Sequence, residues 1–304
     1  MTTPRTAGLF PGQGSQTVGM GQELVEHFQL ACDTFTEADD ILGFSLSAVC
    51  FEGPADELKR TSIAQPALVT ISTAYWRVLA SLDFRCDTVA GHSLGEYSAL
   101  VAAGALAFPD ALRLVRRRGE LMEEAAARRP GGMAAIIGLS DAEVRELCDE
   151  VSQAHGTLAA ANYNSPGQVV VSGTQDAISA MRGAVKERGA RAIPLAVSGP
   201  FHSPLMREAA AAFAEILAEV PMAEPAVPVI PNVTADPTTD PALLRDALER
   251  QITGAVQWVR TVYAMRNMGI QRFVEIGPGN VLTGLVQRTT PESATLSVDD
   301  LLAE

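Results

Sequence analysis

Two lysines, four cysteines and four histidines are few for a chain of 304 residues, and each scarcity excludes a class of function. Cys32, Cys50, Cys86 and Cys148 lie far apart and form no Cys-x-x-Cys pair, which argues against both structural zinc and a disulfide framework. His27, His92, His155 and His202 show no metal-ligand spacing, so no metal site is expected. Positive charge is scarce in general: 23 Lys and Arg stand against 36 Asp and Glu, for a net charge of −13. A phosphate backbone demands a basic footprint, so nucleic acid is not an expected partner. Long hydrophobic runs are missing as well. Stretches such as Ala99 to Phe108 are too short and too broken by Ala and Gly to span a bilayer. Met1 to Arg5 lead straight into Ala7-Gly8-Leu9-Phe10 with no signal-like segment, so the expectation is a cytoplasmic chain with no membrane partner.

What remains is enough for a core. Apolar residues make up 47% and charged residues 19%, which excludes disorder and allows one large domain, alone or carrying a smaller insert. Strand-like runs alternate with helix-period segments, the pattern of an α/β fold with a largely parallel sheet. Thr6 to Phe10 reads as a strand closed by Pro11-Gly12, and Pro66 to Leu82 as a long helix. A strand at Thr88 to Ala90 runs through an abrupt Gly91-His92-Ser93-Leu94-Gly95 turn into a helix from Glu96 to Ala105. A further helix spans Pro109 to Ala127, with proline in its first turn.

Pro130-Gly131-Gly132 marks a boundary, after which the rhythm changes. Met133 to Leu139 reads as a strand, and Ser140-Asp141-Ala142-Glu143 as a capping box opening a helix to His155. Strands at Thr157 to Tyr163 and Gln168 to Ser172, a helix at Asp176 to Arg188 and a strand at Arg191 to Val197 follow. That β-α-β-β-α-β order belongs to a ferredoxin-like module. It is placed at 130–198 as an insert between the two parts, 1–129 and 199–304, of the larger subdomain. There the alternation resumes with a helix from Ser203-Pro204 to Val220, strands at Val227 to Asn232 and Gln271 to Ile276, and helices at Pro241 to Gln251 and Trp258 to Met268.

The Gly91-to-Gly95 turn matches the Gly-x-Ser-x-Gly nucleophile elbow. Five residues alone also fit a structural turn, but the strand before and the helix after favour Ser93 as a nucleophile. A helix start there aims backbone N–H groups at developing negative charge. A serine needs a base. His92 is its neighbour on a sharp turn and points elsewhere, in a supporting role. His27 and His155 lie on charge-rich helices and read as solvated. His202 follows the last insert strand and precedes a helix, at a junction of subdomains where clefts form. On the residues alone it is either the base or a structural histidine, and no acid nearby completes a triad.

One charge is out of place. Leu112, Val115, Gly119 and Met122 mark one buried helix face, with Leu114, Arg118 and Leu121 beside it. Arg116 and Arg117 share the outer face with Arg113, Glu120 and Glu123 and read as solvated. An inward Arg118 needs a carboxylate, which its planar fork suits. Gly277-Pro278-Gly279 lacks the residues that complete a phosphate loop and reads as a strand-terminating turn.

Phe10-Pro11-Gly12-Gln13-Gly14-Ser15-Gln16, Gly91-His92-Ser93-Leu94-Gly95-Glu96, Arg118-Gly119, Asn164-Ser165-Pro166-Gly167-Gln168, Phe201-His202-Ser203 and Glu275-Ile276-Gly277-Pro278-Gly279 occur in that order. Together, over residues 7–290, they resemble the malonyl-CoA:acyl carrier protein transacylases and the acyltransferase domains of polyketide synthases. The resemblance implies an α/β-hydrolase-like large subdomain with a ferredoxin-like insert. It implies a stand-alone, monomeric enzyme moving malonyl from malonyl-CoA to the phosphopantetheine thiol of an acyl carrier protein, in fatty acid or polyketide synthesis, through a malonyl-serine intermediate. Ser93 would be the nucleophile, His202 its base, and the backbone carbonyl of Gln251 the group orienting that histidine. Backbone N–H groups of Gln13 and Leu94 would form the oxyanion hole, and Arg118 would grip the malonyl carboxylate.

Phe201 matches the position where malonyl-selecting members carry Phe, although Gly199-Pro200 departs from their usual His-Ala-Phe-His. That wording leans towards the polyketide pathway. No cofactor is implied beyond the coenzyme A thioester as substrate. An acidic carrier would need a local basic patch on this acidic chain, either Arg182, Lys186, Arg188 and Arg191 or Arg116 and Arg117. The rival readings are an acyl-thioester hydrolase with the same dyad, a transacylase of another acyl unit, and a silent docking domain.

Overall fold

Eight strands fall into two sheets in the computed structural model, which describes residues 4–303. In chain order they are β1 (Thr6–Phe10), β2 (Thr88–Gly91), β3 (Gly131–Ile137), β4 (Leu158–Ser165), β5 (Gln168–Thr174), β6 (Arg191–Pro194), β7 (Arg272–Glu275) and β8 (Ala294–Ser297). The first sheet has the order β2-β1-β7-β8, with every pair parallel. All residues of β1 and β2 are buried, as expected for parallel strands covered on both faces. The register pairs Phe10 with Gly91 and Leu9 with Glu275, so the carboxyl ends of β1, β2 and β7 lie side by side. Ligands of open α/β sheets bind at that edge.

The second sheet is antiparallel, in the order β4-β5-β3-β6. Its first strand in sequence lies between its third and fourth, which is the ferredoxin-like arrangement. Helices Asp141–His155 and Gln175–Glu187 bury Leu147, Val151, Met181 and Val185 against it in a core of its own. The Ser140–Glu143 capping box is formed. The insert sheet is tied to the larger sheet's flank by main-chain bonds from Tyr163 N to Val256 O at 2.9 Å and from Val256 N to Ala161 O at 2.8 Å.

Helices Gln22–His27, Gln29–Leu42, Leu46–Glu52 and Ala55–Leu58 lie where the sequence reading places no element, and three segments that it does address differ from it. Val227 to Asn232 is extended along β2 but is no regular strand: Val89 and Val229 make an isolated bridge. Pro228 and Pro231 lack the N–H groups a continuous ladder needs. The long helix begins at Thr61, and Pro66 sits inside it. The carbonyl that Pro66 leaves without a helical donor is that of Ser62, and Arg116 Nη1 donates to it at 3.0 Å. Arg116 is therefore a helix-to-helix tie and not a freely solvated charge. Finally, helix Val281–Thr289 and β8 extend the parallel unit past the part read from sequence.

Helix Phe108–Arg128 packs closely on the start of helix Thr61–Ser81. A Cβ at Gly119 would lie 2.7 Å from Ser62 Cα, so only glycine permits this approach. The approach seats the next residue back, Arg118, deep under the elbow.

Candidate active site

The elbow owes its shape to two glycines and one strained serine. A Cβ on Gly91 would sit 1.9 Å from the Gly95 carbonyl carbon, and one on Gly95 would sit 2.0 Å from Phe10 O. Ser93 has φ +51°, a left-handed conformation that is costly for a side-chain-bearing residue. Strain at that point needs an anchor, and Asn232 supplies it. Its Oδ1 accepts from Ser93 N at 2.6 Å, and its Nδ2 donates to Gly91 O at 2.6 Å. Asn232 was read from sequence only as the end of a strand, because an asparagine after a proline carries no signal of what it bonds.

Ser93 Oγ and His202 Nε2 are 2.7 Å apart. The other ring nitrogen, Nδ1, faces the carbonyls of Gln251 at 2.9 Å and Gly254 at 3.1 Å. Two carbonyl oxygens can only accept, so the proton sits on Nδ1 and Nε2 offers its lone pair to the serine. His202 is buried, which together with the charge of Arg118 pushes its pKa down to about 3. It is thus a neutral imidazole at physiological pH. His92 turns away, its Nε2 at 2.8 Å from Asn164 Oδ1 and its ring against Trp258, and burial lowers its pKa too.

Arg118 is 1% exposed. Its Nη2 donates to Gln251 Oε1 at 2.9 Å and lies 3.4 Å from Ser93 Oγ, while its Cζ stands 5.6 Å from the Tyr97 ring centre. Among the described residues no carboxylate forms an ion pair with it, and its Nε has no hydrogen-bond partner. Beneath it Glu96 is wholly buried, accepting from Asn232 N at 3.0 Å and Gln251 Nε2 at 2.7 Å. Burial pushes Glu96 up to about 7, against those hydrogen bonds and Arg118. The Gln251 side chain also donates to Ser93 O at 2.9 Å. From the sequence Glu96 stands out only as the end of a motif and Gln251 only through its main-chain carbonyl, and neither reading shows that their side chains form this network.

A cavity of about 270 Å³ opens between the two sheets. Gln13, Ser93, Leu94, Arg118, Phe201 and His202 all line it. Phe201 is buried, and a Cβ on Gly199 would meet Ala126 Cβ at 2.5 Å and Phe201 Cε1 at 3.1 Å. Pro200 rests where a side chain on Gly131 would be. The Gly199-Pro200 wording thus fits its own neighbours, Ala126 and Gly131.

Glu275 closes the question of a phosphate loop. Its carboxylate accepts from Leu282 N at 3.0 Å and Thr283 N at 2.8 Å, occupying the helix start that a phosphate would use. Of the basic candidates, Arg116 and Arg117 pair with Glu120, and Arg188 pairs with Glu150 at 2.6 Å. Arg182, Lys186 and Arg191 are exposed and form no ion pair among the described residues. Also among the described residues, no helix is long and apolar enough to cross a membrane.

Residues 9–303 match the acyl transferase domain model. The chain is 46% identical over 284 residues to the malonyl CoA-acyl carrier protein transacylase of Salmonella typhimurium, covering 93% of this chain and 92% of that one. It superposes with a TM-score of 0.95 on an acyl carrier protein S-malonyltransferase from Vibrio cholerae, 43% identical, covering 98% of this chain and 99% of that one. A malonyl-transacylase solved in complex with its type II PKS acyl-carrier protein gives a TM-score of 0.94 at 42% identity, covering 97% of this chain and 96% of that one.

Proposed function

The chain belongs to the acyl transferase domain family, and from that premise we propose that it moves malonyl from malonyl-CoA to the phosphopantetheine thiol of an acyl carrier protein, in fatty acid or polyketide synthesis. Ser93 Oγ attacks the thioester carbonyl as its proton passes to His202 Nε2, a step the 2.7 Å contact supports. The oxyanion of the tetrahedral intermediate takes hydrogen bonds from the N–H groups of Gln13 and Leu94. As the C–S bond breaks, the proton on Nε2 goes to the coenzyme A sulfur, leaving malonyl on Ser93. Coenzyme A departs. The carrier thiol then attacks the ester, His202 takes the thiol proton and returns it to Ser93, and the cycle is ping-pong. Proton and acyl balance close without metal or redox cofactor.

The observation that carries the malonyl assignment is Arg118, a buried guanidinium beside the nucleophile with no carboxylate in direct contact among the described residues. The carboxylate of malonyl supplies that partner. A hydrolase of plain acyl groups has no use for it. Phe201 bounds the space at the acyl α-carbon and favours malonyl over larger extender units. The whole site comes from one chain, so a monomer suffices. For the carrier, Arg182, Lys186 and Arg191 offer the free positive charge an acidic partner needs. The test is intact-protein mass spectrometry after mixing with malonyl-, methylmalonyl- and acetyl-CoA. One malonyl mass on wild type and none on Ser93→Ala is expected; equal loading of acetyl would overturn the malonyl reading.

A further inference from the structure

Arg118 and Glu96 are opposite charges buried under one nucleophile, yet they do not touch. Between them stands the amide of Gln251, whose Oε1 accepts from Arg118 Nη2 at 2.9 Å and whose Nε2 donates to Glu96 Oε2 at 2.7 Å. We propose that Glu96 is the remote counter-charge of Arg118, held off its guanidinium by Gln251 so that the fork stays open to a carboxylate and grips it no more tightly than turnover allows. The inference rests on Arg118 reading the malonyl carboxylate.

The geometry argues this from both ends. A carboxylate paired directly with Arg118 would occupy the bidentate face that the substrate needs. A guanidinium with no counter-charge at all would be costly when the site is empty. It would also hold a bound carboxylate deeply, lowering substrate and transition state alike without raising the rate of the chemical step. An anion one amide away balances the charge and leaves the fork free.

The polarity of the network also fits an ionised Glu96. Its Oε2 receives two donors, from Asn232 N and Gln251 Nε2, while among the described residues Oε1 has no partner to which a carboxylic acid proton could be given. Because an ionised carboxylate only accepts, it fixes the Gln251 amide with its oxygen towards Arg118.

Glu96→Gln separates charge from hydrogen bonding, since its amide oxygen can accept both bonds. The probe is free malonate, measured by calorimetry at pH 8 against wild type, Glu96→Gln, Glu96→Asp and Arg118→Ala. Glu96→Gln should bind malonate about ten-fold more tightly, the order expected for removing a nearby like charge at an interior dielectric near 20. For malonyl-CoA, KM should fall with no gain in kcat. Glu96→Asp keeps the charge and should not show the tighter malonate binding of Glu96→Gln. A folded Glu96→Gln that binds malonate equally or more weakly, while Arg118→Ala loses binding, overturns this inference alone. Undiminished malonate binding by Arg118→Ala overturns the carboxylate reading beneath it. Wild type supplies a second measurement: among the groups packed around Arg118, burial raises Tyr97 and lowers His92 and His202, which leaves Glu96, pushed up to about 7, as the one to take up a proton as the pH falls from 8 to about 6.5. Malonate should bind more tightly at the lower pH, and weaker binding there also counts against the proposal.

Discussion

His202 takes its orientation from Gln251 through a main-chain carbonyl, 2.9 Å from Nδ1, a group that no side-chain replacement deletes. The Gln251 side chain meanwhile serves Arg118, Glu96 and the Ser93 carbonyl. The two halves of one residue are therefore separable. Gln251→Ala should leave the Ser93–His202 pair working and disturb the carboxylate site, so kcat/KM for malonyl-CoA should fall by about ten-fold or more. Acetyl-CoA loading should fall far less. Parallel losses for both substrates would place the side chain in service of the elbow instead.

Ser93→Ala should abolish acylation, and His202→Ala should slow it by roughly two to four decades, the usual worth of a general base. The depressed pKa of His202, about 3, sets the pH dependence. A base must be neutral, so single-turnover acylation should show no loss attributable to His202 as the pH falls through 6.5 to 5. Stability moves with the opposite concern. Below pH 6.5 the unfolded chain binds a proton at this histidine that the native state refuses, so its contribution is full above 6.5 and is lost as the pH falls towards 3. Wild type should lose roughly 1 kcal/mol more per pH unit than His202→Asn between pH 6 and 5. Urea melts of the two proteins measure the difference, and equal slopes would contradict the burial of a neutral ring.

Phe201→Ser should raise turnover of methylmalonyl-CoA relative to malonyl-CoA. One methyl in an apolar pocket is worth about 1–3 kcal/mol, so the ratio should move without a complete switch. Competition between the two thioesters reads the ratio directly. If it does not change, selection at the α-carbon lies with another wall of the cavity.

Lys186→Glu with Arg191→Glu should raise KM for the carrier protein several-fold and leave acylation from malonyl-CoA alone. Both side chains are exposed, and a rim charge acts mainly on association, so the effect should fade in high salt. Reversal of Arg117, which already pairs with Glu120, should do less. The opposite ranking would move the docking surface to the other side of the cleft.

Much of this was legible in the sequence because it was local. Period-2 and period-3.6 patterns located all but the last strand of the parallel sheet and the four of the insert, and helical spacing alone turned Arg118 inward. Pairing across distance was not legible. Pro66 reads as a helix start, and only the arginine that satisfies Ser62 O explains its place inside a helix. Asn232 reads as a strand end, yet it anchors the strained Ser93 from 139 residues away. β8 is one exposed and three half-buried residues with no alternation to announce it.

Arg118 carries the substrate assignment, and its removal is the sharpest test. Its guanidinium is buried beside Ser93, donates to a neutral amide and has no ion pair among the described residues. A site built around a polar partner rejects an analogue lacking that partner far better than an apolar pocket rejects a methyl. Arg118→Ala should therefore lower kcat/KM for malonyl-CoA by a hundred-fold or more, roughly the cost of losing a charge-assisted contact in a dry site. Acetyl-CoA, which leaves the wild-type guanidinium unpaired, should load as well as before or better. Lysine at 118 should restore only part of the malonyl rate, because it offers a point charge in place of a fork. Measuring both substrates on wild type and both variants separates the alternatives. If malonyl-CoA and acetyl-CoA fall by one common factor, Arg118 is holding the elbow and its neighbours together, and the carboxylate must be read elsewhere.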